Sequence, residues 1–322
     1  MENNIVLSTR IRLARNFKNY PFIAKLNKDD AEKIVGEVKS TILKSNEKSA
    51  LLFKEIDSEE LKKEGPKLIE AHIISPNILN SSVPSLVITD NLKEISIMVN
   101  EEDHLRIQVI KKGLDFKNAL FLANACDDLI EENSEYAFSE KYGYLTSCPT
   151  NLGTGMRASV MLHLPAIVLS GRINELIRNV NRLGIAIRGF YGEGTEALGN
   201  IFQISNQITL GISEEEIIKK LENVVETIIK EEEHLRKELK SDRLYDKILR
   251  SYGILKNCYL ISYSEFIKLW SNVYLGIDLG IIDIKDINSF KNLITTLAPN
   301  SIGCKNSEKR DKIRAEILKD VI

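Results

Sequence analysis

Residues 85–110 read SLVITDNLKEISIMVNEEDHLRIQVI, and this stretch decides the fold. Three strand-like runs, 85–89, 94–99 and 104–110, are separated by short polar signals. Asp90-Asn91 marks one turn and the acidic run Glu101-Glu102-Asp103 another, a spacing that predicts an antiparallel meander. Three consecutive acids are ordinarily a solvated turn. Here hydrophobic strands bracket them and Arg106 follows at once, so the run Asn100 to Arg106 is a candidate site.

Outward from the meander, residues 5–13 alternate loosely as a strand, and a period of two puts Arg10 and Arg12 on one face. Residues 28–44 read as an amphipathic helix with Ala31, Ile34, Val35, Val38 and Leu43 on one stripe. A short helix is expected at 58–63 and a strand at 69–74. Residues 115–133 read as a helix. Strands at 166–170 and 184–188 are expected around a helix at 172–182, with a further strand at 201–210. After Gly211 the pattern turns helical. Ser213-Glu214-Glu215-Glu216 opens a helix to about Leu239, and helices follow at 242–252, 263–276, 283–297 and 307–320. The expected fold class is α/β (α+β): an antiparallel β-sheet domain flanked by helices over residues 1–235, then a small all-helical domain over 236–322.

Bulk properties exclude several classes. A chain of 322 residues exceeds the usual size of one hydrophobic core. Its net charge of −2 gives no global pull towards nucleic acid or membrane, and no apolar run approaches the ~20 residues of a spanning helix. Met1-Glu2-Asn3-Asn4 has no basic or apolar signal character. The cysteines Cys126, Cys148, Cys258 and Cys304 are far apart, which fits a reducing cytoplasm and argues against disulfides or a zinc site.

Lysine is the background cation, 30 against 14 arginines, and no arginine lies between Arg15 and Arg106. Clustered arginines such as Arg10, Arg12 and Arg15 therefore point to chemistry, because guanidinium forks bind phosphate in a bidentate way and lysine does not. A second informative run is Cys148-Pro149-Thr150-Asn151-Leu152-Gly153-Thr154-Gly155-Met156-Arg157. Gly153-x-Gly155-x-x-Ala158 imitates a dinucleotide fingerprint with Glu175 downstream, but Glu175 falls inside a helix and Pro165 interrupts the preceding one. No P-loop and no protein-kinase motif set is present. Arginine forks together with carboxylates are what phosphoryl transfer to a cationic nitrogen requires.

These residues resemble the ATP:guanido phosphotransferases, the phosphagen kinases. Cys148 to Thr154 is similar to the family signature, Asn100 to Arg106 to its acidic motif, and Ser8-Thr9-Arg10-Ile11-Arg12 to its first phosphate-binding strand. Arg157-Ala158-Ser159-Val160-Met161 and Arg188-Gly189-Phe190-Tyr191-Gly192-Glu193-Gly194 complete the set. Members acting on creatine or free arginine carry a helical domain before the first motif. Here that motif begins at Ser8 and a helical extension follows the catalytic part, as in the bacterial branch that phosphorylates arginine side chains in proteins. Arg310-Asp311-Lys312-Ile313-Arg314-Ala315 is similar to that branch's regulatory pocket for phosphoarginine.

The resemblance implies roles. Arg10, Arg12, Arg106, Arg157 and Arg188 would clamp the phosphates of ATP, His72 would contact the nucleotide, and Mg2+ would ride on the phosphates with no protein metal site. Glu102 would be the base, Glu193 a second carboxylate on the acceptor guanidinium, and Glu101 a positioning neighbour. Cys148 would be a thiolate near that guanidinium and not a covalent nucleophile. Partners implied are proteins with exposed arginines, an activator protein, protease machinery and a second copy in a homodimer, with roles in stress response and in marking proteins for degradation. Two alternatives stay open: a kinase of free arginine or another small guanidino compound, and a silent phosphoarginine-binding module.

Overall fold

The structure is a computed structural model and describes residues 4–46, 52–189, 197–239 and 241–322. It opens with strand β1 (Val6–Arg15), helix α1 (Lys28–Ser45), strand β2 (Phe53–Ile56) and helix α2 (Ser58–Glu70). The meander is β3 (Leu86–Asp90), β4 (Ile95–Val99) and β5 (Leu105–Lys112), followed by α3 (Phe116–Glu131). A small hairpin, β6 (Phe138–Ser139) and β7 (Gly143–Tyr144), precedes β8 (Met156–His163). Next come α4 (Pro165–Leu169), α5 (Ile173–Asn181), β9 (Ile185–Gly189) and β10 (Ile201–Asn206). The remainder is helical: α6 (Glu214–Glu238), α7 (Asp242–Asn257), α8 (Tyr263–Asp278), α9 (Ile287–Thr296) and α10 (Ser307–Val321).

Strands other than the β6–β7 hairpin follow the order β2-β3-β4-β5-β1-β8-β10-β9. The meander forms as read, with Ile97 opposite Ile107 and Val99 opposite Leu105, and β1 pairs antiparallel with β5 so that Ala14 faces Arg106. Strands β3 and β4 are buried along their whole length, which is why their residues are mostly apolar, with Thr89, Asp90 and Ser96 as buried polar members. Local chemistry starts the helices. The side chains of Asn27, Asp57, Asp115, Ser262 and Asp286 each accept a first-turn backbone N–H of α1, α2, α3, α8 and α9.

By its contacts the chain divides into two compact units. One comprises Ser8–Val160 and Ser205–Asn223; the other comprises Met1–Leu7, Met161–Ile204 and Val224–Ile322. Within the first, Ile56, Leu68, Ile73, Ile74, Ile78, Val87 and Met98 form an apolar cluster. Within the second, Trp270, Tyr274, Phe290 and Phe266 centre a core that also takes in Leu7 and Ile201. Its buried charges Glu232 and Arg236 are paired. Glu232 of α6 accepts the N–H groups of Ala166 (3.0 Å) and Ile167 (2.9 Å), and Arg236 donates to Glu232 (2.8 Å), Asp278 (2.7 Å) and the His163 carbonyl (3.0 Å).

Three local expectations are corrected. Residues 69–74 are not a strand: α2 runs on to Glu70, past Pro66, and the N–H groups of Ile73 and Ile74 close back on the Leu68 carbonyl. Their β-branched side chains plug the apolar cluster instead of pairing in a sheet. Residues 166–170 are helix α4, because Pro165 suits the first helical position and Glu232, distant in sequence, caps the exposed N–H groups. The strand expected at 201–210 stops at Asn206, whose amide folds back on the Met156 and Ile208 carbonyls.

Candidate active site

A cleft in the first unit is lined by Arg12, Leu13, Ala14, Glu102, Arg106, Cys148, Thr150, Asn151, Gly155 and Arg157. A larger depression lies on α7, between Arg250, Gly253, Ile254, Asn257 and Cys258, but it holds one cation and no carboxylate. Convergence of charge, not size, distinguishes the cleft.

β1 supplies the first arginines. Ile11 and Leu13 point into the core, so the alternation turns Arg10 and Arg12 to the other face. Arg10 Nε donates to Ser159 Oγ on β8 (3.4 Å), and Arg157 Nη2 to Thr150 Oγ1 (3.5 Å). These cations repel one another. Burial, with Arg106 and Arg157 nearby, lowers the Arg10 pKa to about 10. Arg12 is pushed down further, by burial and then by Arg10, Arg106 and Arg157, with Glu101 opposing. Its buried Nε has no hydrogen-bond partner among the described residues. Guanidinium groups converging in this way favour a polyanion.

The turn between β4 and β5 supplies the carboxylates. Asn100 takes the left-handed conformation (φ 59°), and its amide donates to the carbonyls of Ala31 (3.1 Å) and Pro84 (2.8 Å). The buried Glu101 carboxylate accepts from Ser75 Oγ (2.7 Å), the Glu102 N–H (3.0 Å) and Arg106 Nη1 (3.0 Å). It is fully engaged in shaping the turn. Glu102 differs: its side chain is 38% exposed, with Oε2 3.2 Å from Arg106 Nη2. It is the carboxylate that lines the cleft.

Asp103, to which no motif gives a role, links the turn to the cysteine loop. Its buried Oδ1 accepts from Asn16 Nδ2 (2.6 Å) and from the N–H of Ser147 (2.6 Å), the residue before Cys148. Asn16 Oδ1 accepts in turn from the His104 N–H (2.9 Å). The Phe17 N–H donates to His104 Nδ1 (3.0 Å), so the imidazole is neutral with its proton on Nε2, facing the Pro21 carbonyl at 3.0 Å. Burial lowers the pKa of His104, in keeping with that form. Only the adjacency of Asp103 and His104 to the acid pair could have hinted at this brace.

Cys148 Sγ lies 3.0 Å from Thr150 Oγ1. The glycines after it have packing reasons. A Cβ on Gly153 (φ +110°) would sit 2.1 Å from the Thr209 carbonyl, and one on Gly155 would sit 2.6 Å from Arg15 Nη1. Arg15 stands apart from Arg10 and Arg12. It is buried, paired with Asp127 (2.7 Å), donates to the Thr154 carbonyl (3.0 Å) and lies 3.6 Å over the Tyr144 ring.

Other predicted residues fall as follows. Thr9 Oγ1 donates to the Gly113 carbonyl (2.7 Å) and accepts the Asp115 N–H (3.0 Å), on the face opposite the arginines; Ser8 is half-buried. Ala158 and Val160 are core residues of β8, and Met161 packs against the core of the second unit. His72 follows α2 in a left-handed conformation (φ 59°), and burial, then Arg10, lowers its pKa to about 4. Arg188, exposed, and Gly189 end β9 in the second unit. Phe190, Tyr191, Gly192, Glu193 and Gly194 lie outside the described residues.

At the C-terminus, Arg310 Nη1 donates to the Cys304 (2.9 Å) and Lys305 (3.0 Å) carbonyls. Arg314 is buried and donates to the Leu297 carbonyl (3.0 Å), the Ile261 carbonyl (2.6 Å) and Asp311 (2.6 Å). Lys312 lies over the Tyr259 ring (5.2 Å), Ile313 is half-buried and Ala315 is in the core.

The ATP:guanido phosphotransferase C-terminal catalytic domain family matches residues 32–235, and the protein-arginine kinase McsB C-terminal domain family matches 241–322. A protein-arginine kinase of Geobacillus sp. (strain WCH70) is 46% identical over 328 residues, covering 99% of this chain and 91% of that protein. The protein-arginine kinase of Bacillus subtilis (strain 168) is 43% identical over 330 residues, covering 99% and 90%. Among solved structures, a lombricine kinase aligns with TM-score 0.62 and 25% identity over 76% of this chain and 70% of its own. The substrate-free duplicated taurocyamine kinase of Schistosoma mansoni shares the fold, with TM-score 0.64 and 18% identity over 87% of this chain and 48% of its own.

Proposed function

The chain belongs to the ATP:guanido phosphotransferase family, and from that premise we propose that it transfers the γ-phosphoryl group of ATP to arginine side chains of proteins. The observation that carries the reading is the meeting of Arg12, Arg106 and Arg157 with the partly exposed Glu102 in one cleft. Its two near full-length relatives above bear the name protein-arginine kinase, which supports a protein substrate over free arginine.

The chemistry follows from charge. A guanidinium has a pKa above ~12 and no lone pair free for attack. Glu102 holds the acceptor fork and takes its proton as the N–P bond forms and the bond from the γ-phosphorus to the bridging oxygen breaks. Fixed guanidinium groups of Arg12, Arg106 and Arg157, with Arg10 behind them, stabilise the charge spread over the equatorial oxygens. Mg2+ would be held by the phosphates and would supply charge neutralisation there. Glu101 holds Arg106, and Cys148 sits beside the acceptor guanidinium. Neutral His72 contacts the nucleotide. The family motif also assigns Arg188 to the phosphates and Glu193 to the acceptor.

The same reading takes residues 1–235 as catalytic and 236–322 as regulatory, with the run from Arg310 to Ala315 as the phosphoarginine pocket. It places the enzyme in the cytoplasm as a homodimer, working with an activator protein and protease machinery in stress response. Among the described residues no helix is long and apolar enough to cross a membrane.

The test is incubation of the full chain with Mg-ATP and either an arginine-bearing protein or free arginine, with mass spectrometry that spares the acid-labile N–P bond. Phosphoarginine on the protein is expected. Glu102→Gln should cut transfer about 10³-fold or more while ATP affinity stays within about threefold. Phosphate on free arginine alone would refute the protein-substrate reading, and loss of ATP binding in the variant would refute the base.

A further inference from the structure

The wall of the cleft differs in character from its arginine-lined floor. Residues 142–156 and 205–212 contain no charged side chain, in a protein that is 28% charged. The two stretches are locked together. Thr209 is buried, with Oγ1 donating to the Leu152 carbonyl (2.7 Å) and lying 3.1 Å from the Thr150 carbonyl, and its own carbonyl accepts the Thr154 N–H (3.0 Å). Gly153 and Tyr144 exchange backbone hydrogen bonds (2.8 and 3.4 Å) on the other side of the loop.

With Thr209 turned in, its neighbours are turned out. Ile208 is 48% exposed and Leu210 is 47% exposed. Phe138, 58% exposed, stands edge-on at 5.2 Å to the Tyr144 ring. A single exposed aliphatic is ordinary. Here three large apolar side chains ride on segments pinned to the loop whose Thr150 and Asn151 line the cleft. The Thr209–Thr150 contact puts Ile208 and Leu210 on the order of 10 Å from that lining, since adjacent Cα atoms are ~3.8 Å apart.

We propose that Ile208 and Leu210, extended by Phe138, dock the polypeptide that carries the acceptor arginine, taking an apolar side chain two to four residues from it. The inference rests on the protein-substrate reading above. An extended peptide advances ~3.3–3.6 Å per residue, so a residue two to four positions along lies about 7–14 Å from the arginine, within reach of this surface. A small guanidino molecule held in the cleft would not reach it. The rigid backing of the surface by Thr209 and Gly153 favours binding, because little side-chain or loop freedom is lost on contact.

The experiment compares two synthetic peptides that differ at one position, Leu or Ser three residues after a single arginine, with the full chain and Mg-ATP. Wild type should show a KM about tenfold lower for the Leu peptide, the scale of burying one aliphatic side chain. In Ile208→Ser/Leu210→Ser the two KM values should converge, with kcat and the KM for ATP within about twofold of wild type. The conservative Ile208→Val/Leu210→Met should keep the preference. Equal KM values in wild type, or a preference that survives the Ser variant, would overturn the docking surface and leave the kinase reading intact. If the Ser variant instead dissociates in light scattering and keeps its peptide preference, a second copy of this chain occupies the surface and the proposal fails. No phosphoarginine on either peptide would overturn the protein-substrate reading first, and this one with it.

Discussion

Asp103→Ala is the most informative single change. The carboxylate is buried, and one oxygen receives both the Asn16 amide and the Ser147 N–H at 2.6 Å. A hydrogen bond to a charged group contributes ~1.5–3 kcal/mol, and the variant loses two while stranding a backbone N–H away from water. Asn16 keeps its bond to the Leu145 carbonyl (3.0 Å), so the loss falls mainly on the loop before Cys148. We expect about 3–5 kcal/mol of destabilisation, read by urea unfolding. A shift of ~1 Å in a positioned group can lower the rate about 10²-fold, so kcat should fall by that order. The KM for ATP should stay within about threefold, because the arginine floor does not hang on this brace. Asp103→Asn keeps an acceptor and should recover most of both losses. If the folded Ala variant turned over within twofold of wild type, the idea that Asp103 positions the cysteine loop for chemistry would be wrong. Equal defects in Ala and Asn would mean that charge, not geometry, is what the site needs.

Three further outcomes are expected. Arg157→Lys should lower kcat about 10²-fold in steady-state assays, since an ammonium cannot reproduce a planar fork. His72 is held neutral by burial, with its pKa lowered from 6.5 to about 4; the unfolded chain therefore binds the extra proton first, and stability is full above pH ~6.5 and falls towards pH 4. Between pH 7 and 5 that amounts to about 2 kcal/mol, and His72→Gln should flatten this part of the pH dependence of urea unfolding. Arg314→Ala should cost about 3–5 kcal/mol in thermal unfolding, because it orphans the buried Leu297 and Ile261 carbonyls and Asp311, whereas Arg310→Ala should change stability little.

The sequence was most legible where local rules coincide with tertiary ones. The meander could be read because its apolar runs are bounded by turn residues, and Arg10 and Arg12 could be paired because strand alternation places them. It was least legible where a distant group decides the local structure. Nothing near Pro165 announces that Glu232 will cap it, and nothing near Ser147 announces Asp103. The run 69–74 has strand composition, yet its side chains serve as plugs for an apolar cluster. Arg15 shows the same limit from the other side: it clusters in sequence with Arg10 and Arg12, yet it joins the Thr154 carbonyl to Asp127.

Glu232 and Arg236 sit one turn apart on α6, and the arginine also reaches Asp278 and the end of β8. A recombinant fragment cut between these two would strand a buried carboxylate on one product and expose Leu7 and Ile201 to solvent on it. Severing the chain after residue 235, where the match to the catalytic family ends, would therefore yield inclusion bodies more readily than two soluble halves, and the roles of the two parts are better separated by point substitution than by truncation.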